Sequence, residues 1–217
     1  MSKENKPKRK APRVQIQTLS DLVFGLAITI GGAYLLDISV PSTNSQLLTA
    51  IGTFALSFFI LISIWIRYTT LMSALPVQTA ILFDLNVFLL FLVALEPYLF
   101  NILAAQVNSP SSLGPVASSY YALDVGGMGL VLAYFTHVLV NEEKGLVQSS
   151  MIRPIKSGRN MILVIGLIFV LTALPLFWTI TLGKIPLRFI VWIAMTPLIR
   201  LTDIRLRNSD TSGEAKA

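Results

Sequence analysis

The 217-residue chain contains no cysteine. That excludes a disulfide framework, a thiol nucleophile and a thiolate metal site. It contains one histidine, His137, so no multi-histidine metal cluster can form. Charge is scarce as well, at 13% of residues, against roughly 25% in soluble domains. The net charge of +6 does not describe a nucleic-acid surface, because the basic residues sit in the tails and one loop. Motifs of enzyme chemistry are missing: there is no G-x-S-x-G, no H-E-x-x-H and no phosphate-binding glycine loop. No helix pairs carboxylates at catalytic spacing, and Glu142-Glu143-Lys144 reads as a solvated loop. The residues give no reason to expect an enzyme or a cofactor.

What is abundant is apolar. Hydrophobic residues make up 54% of the chain and the mean hydropathy is +0.71. A bilayer core of ~30 Å needs ~20 mostly apolar residues per helix. Six segments qualify, near 18–39, 47–67, 78–106, 115–141, 160–179 and 184–201. The expected fold is therefore all-α, an integral membrane protein with six transmembrane helices per subunit. Its expected domain occupies 15–203. A basic tail, 1–14, and a C-terminal tail, 204–217, read as disordered. The first tail is long and the apolar run after it reaches ~20 residues, which argues against a secretory signal. Pro97 is expected to kink or end the third helix, since it removes a backbone donor. All the Lys and Arg residues except Lys184 and Arg188 fall on one side of such a six-span chain. By the positive-inside rule both termini are then cytoplasmic.

The first span carries an unusual pair, Ser20-Asp21, at the mouth of an apolar helix. At ~100° per residue, Leu19, Leu22, Val23, Leu26, Ile30 and Ala33 form one stripe, with Thr29 at its edge. Asp21, Gly25, Ile28 and Gly32 lie opposite. Asp21 is thus expected to face protein and to bond a neighbouring helix, with the glycines admitting that neighbour closely. The stripe itself reads either as ordinary packing or as a hydrophobic constriction of a channel. Periodicity leaves that choice open.

Several segments together resemble the prokaryotic relatives of transmembrane protein 175, a family of potassium-permeable channels. The family opens on a pattern like R-x-x-x-F-S-D-G-V-F-A-I-A-I-T, and residues 15–29 read Q-I-Q-T-L-S-D-L-V-F-G-L-A-I-T. The second span carries SFFILISIW, with Ser57, Phe58 and Trp65 at the family's positions. The third carries LNVFLLFLVALEP, with Asn86 and Pro97, and the fourth carries YYAL at Tyr121. The resemblance covers about 15–200. It implies four subunits, a homotetramer whose first helices line a central pore passing potassium ions through the lipid of a prokaryotic cell membrane. It implies constrictions at Leu26, Ile30 and Ala33, a hydroxyl layer at Thr29, and a brace of the first helix by Ser20, Asp21 and Trp65. The placement of the basic residues gives no reason to expect a nucleic-acid partner.

The chain departs from the pattern at named positions. The leading Arg is Gln15, the Phe is Leu19, and the two His positions after Trp65 are Tyr68 and Thr69. The brace is thus expected to have lost its basic partners, with Arg67 adjacent and placed to compensate Asp21. Gly31 and Gly32 replace branched residues, which loosens the helix by ~1 kcal/mol each relative to Ala. These departures bear on selectivity more than on architecture. Two other classes compete with the channel: a proton-coupled secondary transporter using Asp124 or Asp84, and a non-conducting structural membrane protein. Gly126-Gly127 is the one hint of a transporter's broken helix. Of the remaining polar residues, Asp84 and Asn86 read as caps or helix–helix links, Glu96 as a solvated rim, and His137 as a helix-end contact.

Overall fold

The computed structural model describes residues 12–37, 43–74, 80–108, 113–140, 149–183, 185–195 and 197. Five long helices account for most of them: α1 (Pro12–Asp37), α2 (Asn44–Ala74), α3 (Ala80–Asn108), α4 (Gly114–Val140) and α5 (Ser149–Thr172). A one-turn helix, α6 (Leu176–Thr179), leads into a hairpin of β1 (Thr181–Leu182) and β2 (Ile185–Pro186). A last helix, α7, is described over 187–195.

Local chemistry sets several of these boundaries. Pro12 opens α1, where its missing N–H would have had no helical partner. Thr43 precedes α2 and its hydroxyl accepts from the Gln46 backbone N–H at 3.3 Å. The Thr-x-x-Gln spacing is that of a capping box. After Thr172 the chain tightens into i→i+3 bonds, Ala173 to Val170 and Leu174 to Leu171, and Pro175 prevents further α-helix. The hairpin turns at Gly183, whose φ of +66° is open to glycine at little cost. Its antiparallel register pairs Thr181 with Pro186 and Leu182 with Ile185.

The helix α4 lies at the centre. It packs most extensively against α5 and then α3, while α1 lies on α3 and α2. In α4, 72% of the apolar window is buried within the chain, against 22% for α1. The first helix therefore keeps a broad face with no neighbour among the described residues. The α4–α5 contact depends on glycine. A Cβ on Gly126 would stand 2.7 Å from Val170 Cγ2 and 2.9 Å from the Gly166 carbonyl oxygen. Two helix backbones meet here at a distance only small residues permit. By contrast, Gly25 has nothing within 4 Å of its Cβ position, so no helix among the described residues packs closely on it.

Several expectations need correction. The helices α1 to α4 are long and apolar enough to cross a membrane, but α5 is not the expected 160–179. It begins at Ser149, so Arg153, Lys156 and Arg159 lie in a helix rather than a loop, and its apolar part is the shorter Gly158–Thr172. Residues 173–186, expected to end one span and begin the next, form a turn, α6 and the hairpin instead. Pro97 does not end α3, which continues to Asn108. The α4 helix runs unbroken through Gly126-Gly127, so the hint of a broken transporter helix disappears. Residues 1–11 and 204–217, read as tails, and Glu142-Glu143-Lys144 lie outside the described residues.

Candidate functional site

The inward face of α1 is set by Ser20, Phe24, Ala27 and Gly31, all buried. Their spacing of four, three and four residues is one helical face. Small residues and one aromatic let this face lie close on α2 and α3. Phe24 rests against Tyr68 of α2, with ring centroids 5.7 Å apart. The other side of α1 is bare. Leu22 is 65% exposed, Leu26 55% and Ile30 38%, and Leu19, Thr29 and Ala33 are exposed with them. Val23, placed on the same stripe by the wheel, is half-buried against the core.

Within this bare face the Thr29 hydroxyl donates to the Gly25 carbonyl at 2.7 Å. Its hydrogen is thereby committed to its own helix, and its lone pairs remain to accept or to meet a cation. Apolar side chains at Leu19, Leu22, Leu26 and Ile30 and the Thr29 hydroxyl thus lie together on this exposed face of α1.

A polar layer fixes the α1 register near its N-terminal end. The Trp65 indole N–H donates to Asp21 Oδ1 at 2.9 Å. The Tyr68 hydroxyl donates to Ser20 Oγ at 2.6 Å, and Asn86 Nδ2 of α3 reaches the same oxygen at 3.4 Å. Ser20 passes its own hydrogen to the Ile16 carbonyl at 2.9 Å. Ser20, Asp21 and Trp65 are therefore brought together, and two residues join them that the sequence did not assign to this cluster. Tyr68 reads in the sequence as a lost partner because it lacks the charge of histidine. A phenol still donates a hydrogen bond, and its position three residues after Trp65 was the available signal. Asp21 is exposed yet bonded, its donor an indole on α2.

A second polar layer lies about ten residues further along α3, or ~15 Å at 1.5 Å per residue. Glu96 is fully buried, which corrects its reading as a solvated rim. Ser57 of α2 donates to Glu96 Oε1 at 2.7 Å and Tyr121 of α4 at 3.1 Å. Asp124, one turn from Tyr121, is buried as well. Asp84 is exposed, and exposed His137 faces Arg159 with Nδ1 and Nη1 3.3 Å apart.

The third cluster was not legible as a site. Arg188 of α7 is fully buried and engages all five of its N–H donors. They go to the carbonyls of Thr172 at 2.6 Å, Ala173 at 3.0 Å, Leu174 at 3.1 Å and Pro115 at 3.1 Å, and to the Ser118 hydroxyl. It thereby caps the end of α5 and ties it to the start of α4. The Trp192 indole donates to Thr172 Oγ1 at 2.9 Å. A cation near a helix C-terminus also meets the negative end of the helix dipole.

Residues 15–97, which span α1, α2 and most of α3, match the model of the family described as endosomal/lysosomal potassium channel TMEM175. The resemblance is to TMEM175. Two solved structures extend it in fold. A lysosomal potassium-selective channel TMEM175 homolog from Chamaesiphon minutus aligns at a TM-score of 0.62 and 19% identity, covering 91% of this chain and 99% of that one. A variant of the potassium channel MtTMEM175, in complex with a nanobody fusion protein, aligns at 0.57 and 19% identity, covering 98% and 96%. No curated protein matches the chain. The TMEM175 resemblance thus rests on sequence in the first three helices and on fold over nearly the whole length. With four helices long and apolar enough to span, the chain is an integral, multi-pass membrane protein.

Proposed function

We propose that the chain is one subunit of a potassium-permeable cation channel in which α1 lines the pore. One observation carries the reading. The first helix, inside the segment that matches the TMEM175 model, leaves Leu22, Leu26, Ile30 and Thr29 bare on the outside of its own subunit. A four-fold assembly brings such faces together around an axis, as the resemblance implies. Leu26 and Ile30 then make apolar rings, and Ala33 makes a wider one. Permeation through an apolar ring demands partial loss of hydration water, and a hydroxyl layer at Thr29 offers oxygen in exchange. Ser20, Asp21 and Trp65, with Tyr68 and Asn86, hold the helix in register so that the ring geometry is kept. Six spans with both termini in the cytoplasm of a prokaryotic cell, α5 and α7 supplying the last two, complete the proposal.

Single-channel recording in planar bilayers tests the pore assignment. Leu26→Ala with Ile30→Ala widens both rings and is expected to raise unitary conductance. Conductance identical to the parent protein would remove these residues from the pore wall.

A further inference from the structure

Among the described residues, the buried side-chain oxygens without a hydrogen-bond partner are Asn86 Oδ1, Glu96 Oε2 and both oxygens of Asp124. Three of these four belong to two carboxyl groups in one layer. Asp124 is only 4% exposed and Glu96 0%. Asp124 lies three residues after Tyr121, on the same face of α4, and the Tyr121 hydroxyl reaches Glu96. Two buried carboxyl groups on the packed helices α3 and α4, at the level of the Tyr121–Glu96 bond, therefore each keep oxygen atoms left over.

An orphaned carboxyl oxygen in the protein interior is costly, so something in the working protein meets these atoms. The neighbouring cations are engaged elsewhere. Arg188, on α7, commits every N–H to four carbonyls and Ser118. On α2, Arg67 lies ten residues beyond Ser57, ~15 Å along the helix. On α5, Arg159 sits beside His137, thirteen residues along α4 from Asp124. On α1, Asp21 is bonded to Trp65 in the other polar layer. Among the described residues there is no group of three or more metal-binding side chains. A proton is the one cation that needs neither a third ligand nor room.

We propose that Glu96 and Asp124 form a proton-binding carboxyl pair inside the subunit, between α3 and α4 and apart from the α1 face. On binding, a proton taken from water forms an O–H bond on one of the free oxygens, and the second carboxyl accepts the hydrogen bond. On release, that O–H bond breaks and the proton returns to water. Ser57 and Tyr121 orient Glu96 so that Oε2, rather than Oε1, is the oxygen left for the proton. The site does not depend on the channel reading, because binding needs no permeating ion.

Infrared difference spectroscopy of the whole protein in lipid, taken across a pH series, reads the protonated carboxyl band directly. The parent protein is expected to show such a band, reversible with pH. Glu96→Gln and Asp124→Asn, both close in shape, are each expected to abolish it, while Asp84→Asn leaves it in place. Ser57→Ala and Tyr121→Phe keep both carboxyls, so they keep the band but move its midpoint. These two variants decide the matter if either amide variant fails to fold. A band that survives in both Glu96→Gln and Asp124→Asn, or no band in the parent, overturns the proposal. So does a carboxylate signal that responds to potassium at fixed pH and not to pH itself.

Discussion

Replacing Arg188 tests how the end of α5 is held. Its guanidinium satisfies five acceptors, four of them backbone carbonyls of Pro115, Thr172, Ala173 and Leu174. Lysine brings three donors at most, so Arg188→Lys leaves at least two acceptors bare. A buried polar group stripped of its partner costs about 1–3 kcal/mol, which puts the loss at ~2–6 kcal/mol. Arg188→Met is expected to cost more, because all five acceptors are orphaned. A buried ion pair can often be exchanged for apolar side chains without loss, but here the partners are main-chain carbonyls that no substitution removes. The assay is thermal unfolding of the purified protein in detergent. Trp178 and Trp192 report locally, since Arg188 lies 5.9 Å from the Trp178 ring centre and Trp192 is packed on Phe169 at 6.0 Å. The expected order of stability is parent, then Arg188→Lys, then Arg188→Met. A methionine variant as stable as the parent would refute the reasoning.

Other substitutions probe the packing and the brace. Gly126→Ala places a Cβ against the Gly166 carbonyl and the Val170 backbone nitrogen, both 2.9 Å away, and is expected to cost about 1–3 kcal/mol in the same unfolding assay. Gly25→Ala meets nothing within 4 Å and is expected to leave stability unchanged or slightly higher. Tyr68→Phe deletes the hydrogen bond to Ser20 and is expected to cost ~1 kcal/mol, with little change at the exposed end of α1. Trp65→Phe removes the donor to Asp21, and an increase in hydrogen exchange of the first turns of α1, read by mass spectrometry, is the expected sign of a loosened brace.

Much of this architecture was readable because lipid imposes it. A long apolar run has few solutions other than a helix, and α1 to α4 lie where hydropathy puts them. The inner face of α1 was less legible, because apolar residues surround the helix and the wheel has no polar side to contrast with. Ser20 and Asp21 stand out since polar groups there need a partner, and only the family's spacing singles out Trp65. The second half of the chain was harder. The short apolar run of Gly158–Thr172 and the hairpin at Gly183 lie below the resolution of a 20-residue window. Glu96 looked like a rim residue by its place near Pro97, but its burial depends on α2 and α4 closing over it. Arg188 looked like a lone outer charge, and only the fold reveals the carbonyls it serves. Such partners come from segments 14 to 73 residues apart, beyond any local pattern.

The most direct test of the central claim is potassium flux from liposomes holding the purified protein, with sodium and N-methylglucamine gradients alongside. A potassium flux larger than the sodium flux, with N-methylglucamine excluded, is the predicted result. No flux from protein shown to be folded and oligomeric would contradict the channel account.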